Sequence, residues 1–125
     1  MVQNSDIVVL GAKFNFKKGD QKQIENLQNF YFQKRLNSQP YSDLSFGSVF
    51  KRNLNFDPVS KLIDDVGLKG YSIGGAEISK KHAGFIINVG SATCQDCLLL
   101  IKYIQQRIYE SYGFVPEPEV KFLGD

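Results

Sequence analysis

The chain has 125 residues, 42% of them hydrophobic and 22% charged, with a formal net charge of +2. That is one domain's length, able to bury about two-thirds of the surface its unfolded chain exposes. So small a charge, with no basic stripe interleaved by aromatics, offers no case for nucleic acid, and no apolar run nears the roughly 18 residues of a membrane span.

Residues 6–16 open with a β-branched run and pass into alternation at Lys13, Phe14, Asn15 and Phe16. The pattern predicts one strand, bent or bulged at Gly11. Ile7-Val8-Val9-Leu10 is too short to be a secretion signal. Lys18-Gly19-Asp20 is a turn, with Asp20 placed to cap a helix over Gln21 to Arg35. Ile24, Leu27 and Tyr31 keep helical spacing there, and Gln39-Pro40 requires the helix to have ended. Pro58 suits the first turn of a second helix, with Val59, Leu62, Ile63 and Val66 as its buried side and Gly67 as its stop.

Ala76 to Ser79 and Gly84 to Asn88 read as short strands about a Lys80-Lys81-His82 turn. Ser91 or Thr93 then caps a long helix reaching about Tyr112, on which Cys97, Ile101, Ile104 and Ile108 form one core stripe. Gly113 ends it, and Pro116 to Leu123 is predicted as a last strand with its prolines at the start. Strands and helices mix without a βαβ rhythm. The expected fold is therefore α+β, a single domain with a mixed, mostly antiparallel sheet and about three helices.

Several stretches could carry chemistry. In Leu44 to Asn53, Gly47 frees the backbone beside Ser48, Phe46 and Phe50 anchor the turn, and Lys51-Arg52 follow. The grouping suits a hydroxyl facing an anionic ligand, and suits an ordinary anchored loop equally. Cys94-Gln95-Asp96-Cys97 at a helix start admits a redox role, but Cys97 lies on the apolar stripe and no second metal-spaced pair exists. The cysteines fit a reducing, cytoplasmic setting. The glycines at 67, 70, 74 and 75 follow a helix, and no Lys-Ser/Thr pair closes a phosphate loop, so turn formation explains them better than nucleotide binding. His82, the one histidine, has no partner carboxylate nearby in sequence. Glu117 and Glu119, two apart in an extended segment, share a face.

Five ordered motifs add a resemblance. They are Arg35…Gln39-Pro40…Phe46-Gly47-Ser48-Val49-Phe50-Lys51-Arg52, Lys61 to Gly70, Ile73 to Ser79, Lys81 to Asn88, and Glu117-Pro118-Glu119-Val120-Lys121. In this order they resemble the C-terminal half of UDP-N-acetylenolpyruvoylglucosamine reductases, over nearly the whole chain. That family makes UDP-N-acetylmuramate for peptidoglycan with FAD and NADPH, and its substrate is UDP-N-acetylglucosamine enolpyruvate. The resemblance implies that Ser48 donates a proton to C2 of the substrate and that Glu119 stabilises the developing enolic charge. It also implies that Arg52 meets the diphosphate and that His82 contacts substrate. Asn53 departs from the proline usual after Lys-Arg.

The resemblance further implies an N-terminal flavin-binding domain that these residues do not include. Residues 1–125 are then expected to be a substrate-binding C-terminal piece, a split gene product or a shortened chain, binding no cofactor alone. An alternative is a non-catalytic module that keeps the UDP-sugar affinity.

Overall fold

The computed structural model describes residues 8–123. Their elements are α1 (Gln21–Ser38), β1 (Leu44–Ser48), α2 (Val59–Asp65), β2 (Ser72–Ile73), β3 (Ala76–Ile78), β4 (Phe85–Asn88) and α3 (Cys94–Tyr112). The four strands form one sheet in the order β1-β4-β3-β2, and every pair is antiparallel. This is the expected α+β domain, with two strands the pattern did not predict: β1, in the stretch read as an anchored turn, and the hairpin strand β2 in the glycine-rich stretch.

α3 is determined locally at both ends. The Thr93 hydroxyl accepts from the Asp96 N–H at 3.1 Å while the Asp96 carboxylate accepts from the Thr93 N–H at 2.9 Å, a reciprocal capping box. Gly113, in the left-handed region, closes the other end. Between them Leu100, Ile101, Ile104 and Ile108 are buried, and Cys97 is half-buried at the stripe's edge. Burying each such aliphatic side chain contributes about 1.5–3 kcal/mol. α3 packs on β2, β3 and α2, and α2 adds Val59, Leu62 and Ile63 to the same core. Val66 packs at the margin of that core, half-buried.

Two expected strands are corrected. Residues 8–16 form no strand; Asp6 and Ile7, the start of that expectation, lie outside the described residues. A strand satisfies its backbone only against a neighbour, and among the described residues none pairs with 8–16. The segment Pro116 to Leu123 pairs through one bridge, Phe50 with Pro118, and does not continue as a ladder. The helix over 21–35 is present and extends to Ser38, capped by the Asp20 carboxylate accepting from the Gln23 N–H at 2.8 Å. Its apolar stripe, however, is left open among the described residues: Ile24, Leu27 and Tyr31 are each more than half exposed, and no residue of α1 is buried.

Candidate functional site

Ser48 ends β1 just after a bulge. Ser45 stands opposite Ile87 and Ser48 opposite Phe85, so Phe46 and Gly47 together oppose the single residue Ile86. Gly47 takes φ +88° there, a conformation that a side chain disfavours. The extra residue bends the strand end and re-aims the next side chain. Beyond it the Val49 N–H donates to the Gly84 carbonyl at 2.9 Å, and Val49 and Phe50 drop into the core. Ser48 is left exposed just before these two buried anchors. Phe50 anchors the loop as expected, whereas Phe46 stays on the surface.

Two cavities meet at Ser48. One, of about 460 Å³, is lined by Arg35, Gln39, Pro40, Tyr41, Asp43 and Phe85 among others. The second, of about 340 Å³, is lined by Lys51, Arg52, Val59 and Ser60. Lys51 and Arg52 also border a third cavity together with Glu117. Ser48 and Arg52 thus share a concave surface, as their motif suggests.

The C-terminal segment separates the two glutamates. Gln105 on α3 donates to the Pro116 carbonyl at 2.9 Å, fixing the segment's entry. The Lys51 N–H donates to the Glu117 carbonyl at 2.9 Å, and the Glu119 N–H donates to the Val49 carbonyl at 2.8 Å. Glu119 therefore lies beside the residue that follows Ser48. The Glu117 carboxylate is engaged by the Lys51 ammonium, whereas Glu119 and Arg52 make no ion pair among the described residues.

His82 lies one cavity away, beside Ser60, Lys61, Asp64 and Lys81 in a space of about 240 Å³. That cavity shares Pro58 and Ser60 with the one holding Ser48 and Arg52. The turn around His82 is held by the buried Ser79 hydroxyl, which accepts from the Lys81 and His82 N–H groups at 3.2 and 3.3 Å. The His82 Nδ1 accepts from the Gly84 N–H at 3.1 Å. The neutral ring consequently carries its proton on Nε2 as a donor. The ring also stands edge-on to Phe85, which lines the larger Ser48 cavity.

Neither weaker motif gains an active geometry. Burial pushes the Cys97 thiol up, with the neighbouring Cys94 and Asp96 adding to it, the reverse of what an activated thiolate needs. The second half of the glycine-rich stretch is tightly packed: a Cβ on Gly75 would stand 2.2 Å from the Gly90 carbonyl oxygen, and one on Gly74 would strike the Asp96 carboxylate at 2.5 Å. At these two positions the absent Cβ admits the Asp96 side chain and the backbone at Gly90 and Ala92. Arg35 and Tyr41, which line the Ser48 cavity with the guanidinium over the ring at 5.8 Å, have no site role in the motif reading. Their one sequence signal is the Arg35…Gln39-Pro40 motif.

A family model described as UDP-N-acetylenolpyruvoylglucosamine reductase, C-terminal domain, matches residues 39–123. The chain belongs to that family. The UDP-N-acetylenolpyruvoylglucosamine reductase of Caldicellulosiruptor bescii is 47% identical over 126 aligned positions, covering 99% of this chain and 40% of the relative. The protein of the same name from Prochlorococcus marinus is 42% identical, covering 99% of this chain and 42% of the relative. The crystal structure of the reductase from Thermus caldophilus matches with a TM-score of 0.65 and 30% identity, over 83% of this chain and 36% of that one. The chain spans about two-fifths of the length of the relatives it matches. Within the family match fall Ser48, Arg52, His82 and Glu119, while Arg35 and α1 precede it.

Proposed function

We propose that this chain is the substrate-binding half of a flavoenzyme that reduces UDP-N-acetylglucosamine enolpyruvate to UDP-N-acetylmuramate in peptidoglycan synthesis. The observation that carries the reading is the position of Ser48. It is exposed at the bulged end of β1, faces two cavities, and lies one residue from the point where the Glu119 segment is hydrogen-bonded.

Ser48 is the proton donor to the enolic carbon C2. A serine hydroxyl is a weak acid, but an enolate carbon is a strong base, so the transfer proceeds once the geometry is held. The alkoxide left behind is stabilised by the cationic Lys51 and Arg52 lining the same cavity. Glu119 stabilises charge developing on the enolic group by acting as an acid or by polarising its neighbours, and the Lys51 engagement of Glu117 favours Glu119 over its neighbour for that role. Arg52 pairs with the diphosphate, for which a planar guanidinium is suited. His82 offers an Nε2 donor to the substrate from the adjoining cavity.

The close contacts of Gly74 and Gly75 with Asp96 and Gly90 support reading the glycine-rich stretch as turns and close packing and not as a flavin site. In this reading FAD and NADPH are held by the part of the family protein that this chain does not span, and location is cytoplasmic. Among the described residues no helix is long and apolar enough to cross a membrane.

The test joins this chain to the preceding part of the Caldicellulosiruptor bescii relative. It follows NADPH oxidation with the enolpyruvyl substrate. Ser48→Ala should lower turnover by about 10²–10⁴-fold, the usual range for a lost general acid. Turnover that survives Ser48→Ala undiminished overturns the assignment.

A further inference from the structure

Ser48 stands between two cavities, and each is lined by an arginine that makes no ion pair among the described residues. Arg52, in one, is assigned to the diphosphate. Arg35, in the other, has no role in the proposed reaction. Its neighbours nevertheless hold it in place. The Gln39 N–H donates to the Arg35 carbonyl at 2.9 Å and closes the last turn of α1. Lys81 Nζ donates to the Leu36 carbonyl at 2.6 Å, which ties that turn to the loop between β3 and β4. The guanidinium lies 5.8 Å from the centre of the Tyr41 ring, and Phe32 stands edge-on to the same ring. A long side chain held in this way has less freedom to give up on binding.

The other cations around Ser48 are engaged, Lys51 by Glu117 and Lys81 by the Leu36 carbonyl. Asp43 lines the same cavity as Arg35 but does not pair with it among the described residues. The guanidinium therefore keeps its charge for a ligand. The substrate proposed for this chain carries two anionic groups. Its diphosphate lies beyond the sugar, and its carboxylate is bonded directly to C2, the carbon that Ser48 protonates. The sugar ether and the carboxylate are separate substituents of C2, so they leave it in different directions. With the diphosphate toward Arg52, the carboxylate points into the cavity that Arg35 lines. We infer that Arg35 binds this carboxylate and so orients C2 toward the Ser48 hydroxyl. A guanidinium meets a carboxylate through two parallel N–H bonds. That fork fixes the plane of the group, and with it the face of C2 that meets the proton donor.

The inference rests on the substrate proposed above. Its test is calorimetric titration, without NADPH, of this chain fused to the preceding part of the Caldicellulosiruptor bescii relative. No turnover occurs, so the result does not depend on Ser48 being the proton donor. Arg35→Gln should weaken binding of the enolpyruvyl substrate about 10–100-fold, the loss expected for a hydrogen-bonded charge. Arg35→Lys should recover part of that loss, because an ammonium keeps the charge without the fork. UDP-N-acetylglucosamine has the diphosphate and no carboxylate, and should bind both variants as tightly as the unsubstituted fusion. Undiminished binding of the enolpyruvyl substrate by Arg35→Gln overturns the inference. So does an equal loss for UDP-N-acetylglucosamine, which would give Arg35 to the diphosphate. An unsubstituted fusion that binds neither ligand overturns the proposed substrate itself, and the inference with it.

Discussion

Gly47→Ala tests how Ser48 is presented. An added Cβ would meet nothing within 4 Å, so no clash contributes, and the penalty is that of φ +88° alone. A non-glycine residue held in a sparse region costs about 1–3 kcal/mol, offset by about 0.4–1 kcal/mol from the stiffer unfolded chain. The net destabilisation is about 1 kcal/mol. Roughly 85 residues, 39–123, form the packed domain. At about 2.1 cal/mol/K per residue their unfolding entropy is about 0.18 kcal/mol/K, so the melting temperature should fall by about 5 °C. Differential scanning calorimetry reads this directly. Gly47→Asn should lose less, because asparagine tolerates positive φ, and Gly47→Val more. Ala, Asn and Val variants that all melt at the unsubstituted temperature would refute the claim that the bulge needs glycine.

Ile104→Ala, at a position 1% exposed, should destabilise the chain by about 2–5 kcal/mol in denaturant titration. Leu27→Ala should change it by less than about 0.5 kcal/mol, and a shift matching that of Ile104→Ala would show α1 to be part of the core. Thr93→Ala removes the α3 cap, for a loss of about 1 kcal/mol at neutral pH by the same titration. The Asp96 carboxyl is held below the usual carboxylate range by the Thr93 N–H, then the Thr93 hydroxyl and the Gly75 N–H, against the effect of burial. Its folded pKa lies under its unfolded one. The contribution is therefore complete above about pH 4 and is lost as pH falls through the folded value. Asp96→Asn should flatten the acid limb of the melting-temperature profile, and an unchanged limb would contradict this. With iodoacetamide at pH 7.5 (roughly one unit below an ordinary thiol pKa), the exposed Cys94 should be alkylated before the half-buried Cys97 by mass spectrometry. Equal rates would remove the burial argument.

Within the site, motif and geometry contribute differently. Ser48 and Arg52 are four residues apart, and a local turn suffices to bring them to one cavity. Glu117 and Glu119 are alike by spacing, since both fall on one face of an extended segment. Only the register of the Phe50 and Pro118 bridge gives Glu117 to Lys51 and sets the Glu119 backbone beside Val49. Arg35 and Tyr41 reach the Ser48 cavity because Lys81, 45 residues further on, ties down the end of α1. No local pattern records that contact.

The sequence by itself determined the helices of this protein. The Thr93–Asp96 box, the stripe through Ile101, Ile104 and Ile108, and the Gly113 stop are local, and a helix satisfies its backbone within its own segment. The ordered motifs around Ser48 and Glu119 also carried the family resemblance that the comparisons bear out. Only the tertiary structure decided which extended segments became strands, because a strand is completed by a neighbour brought from elsewhere in the chain. Residues 85–88 found two such neighbours, residues 116–123 found a single bridge, and residues 8–16 found none. The same dependence on distant partners left the α1 stripe uncovered and set Ser48 between its two cavities.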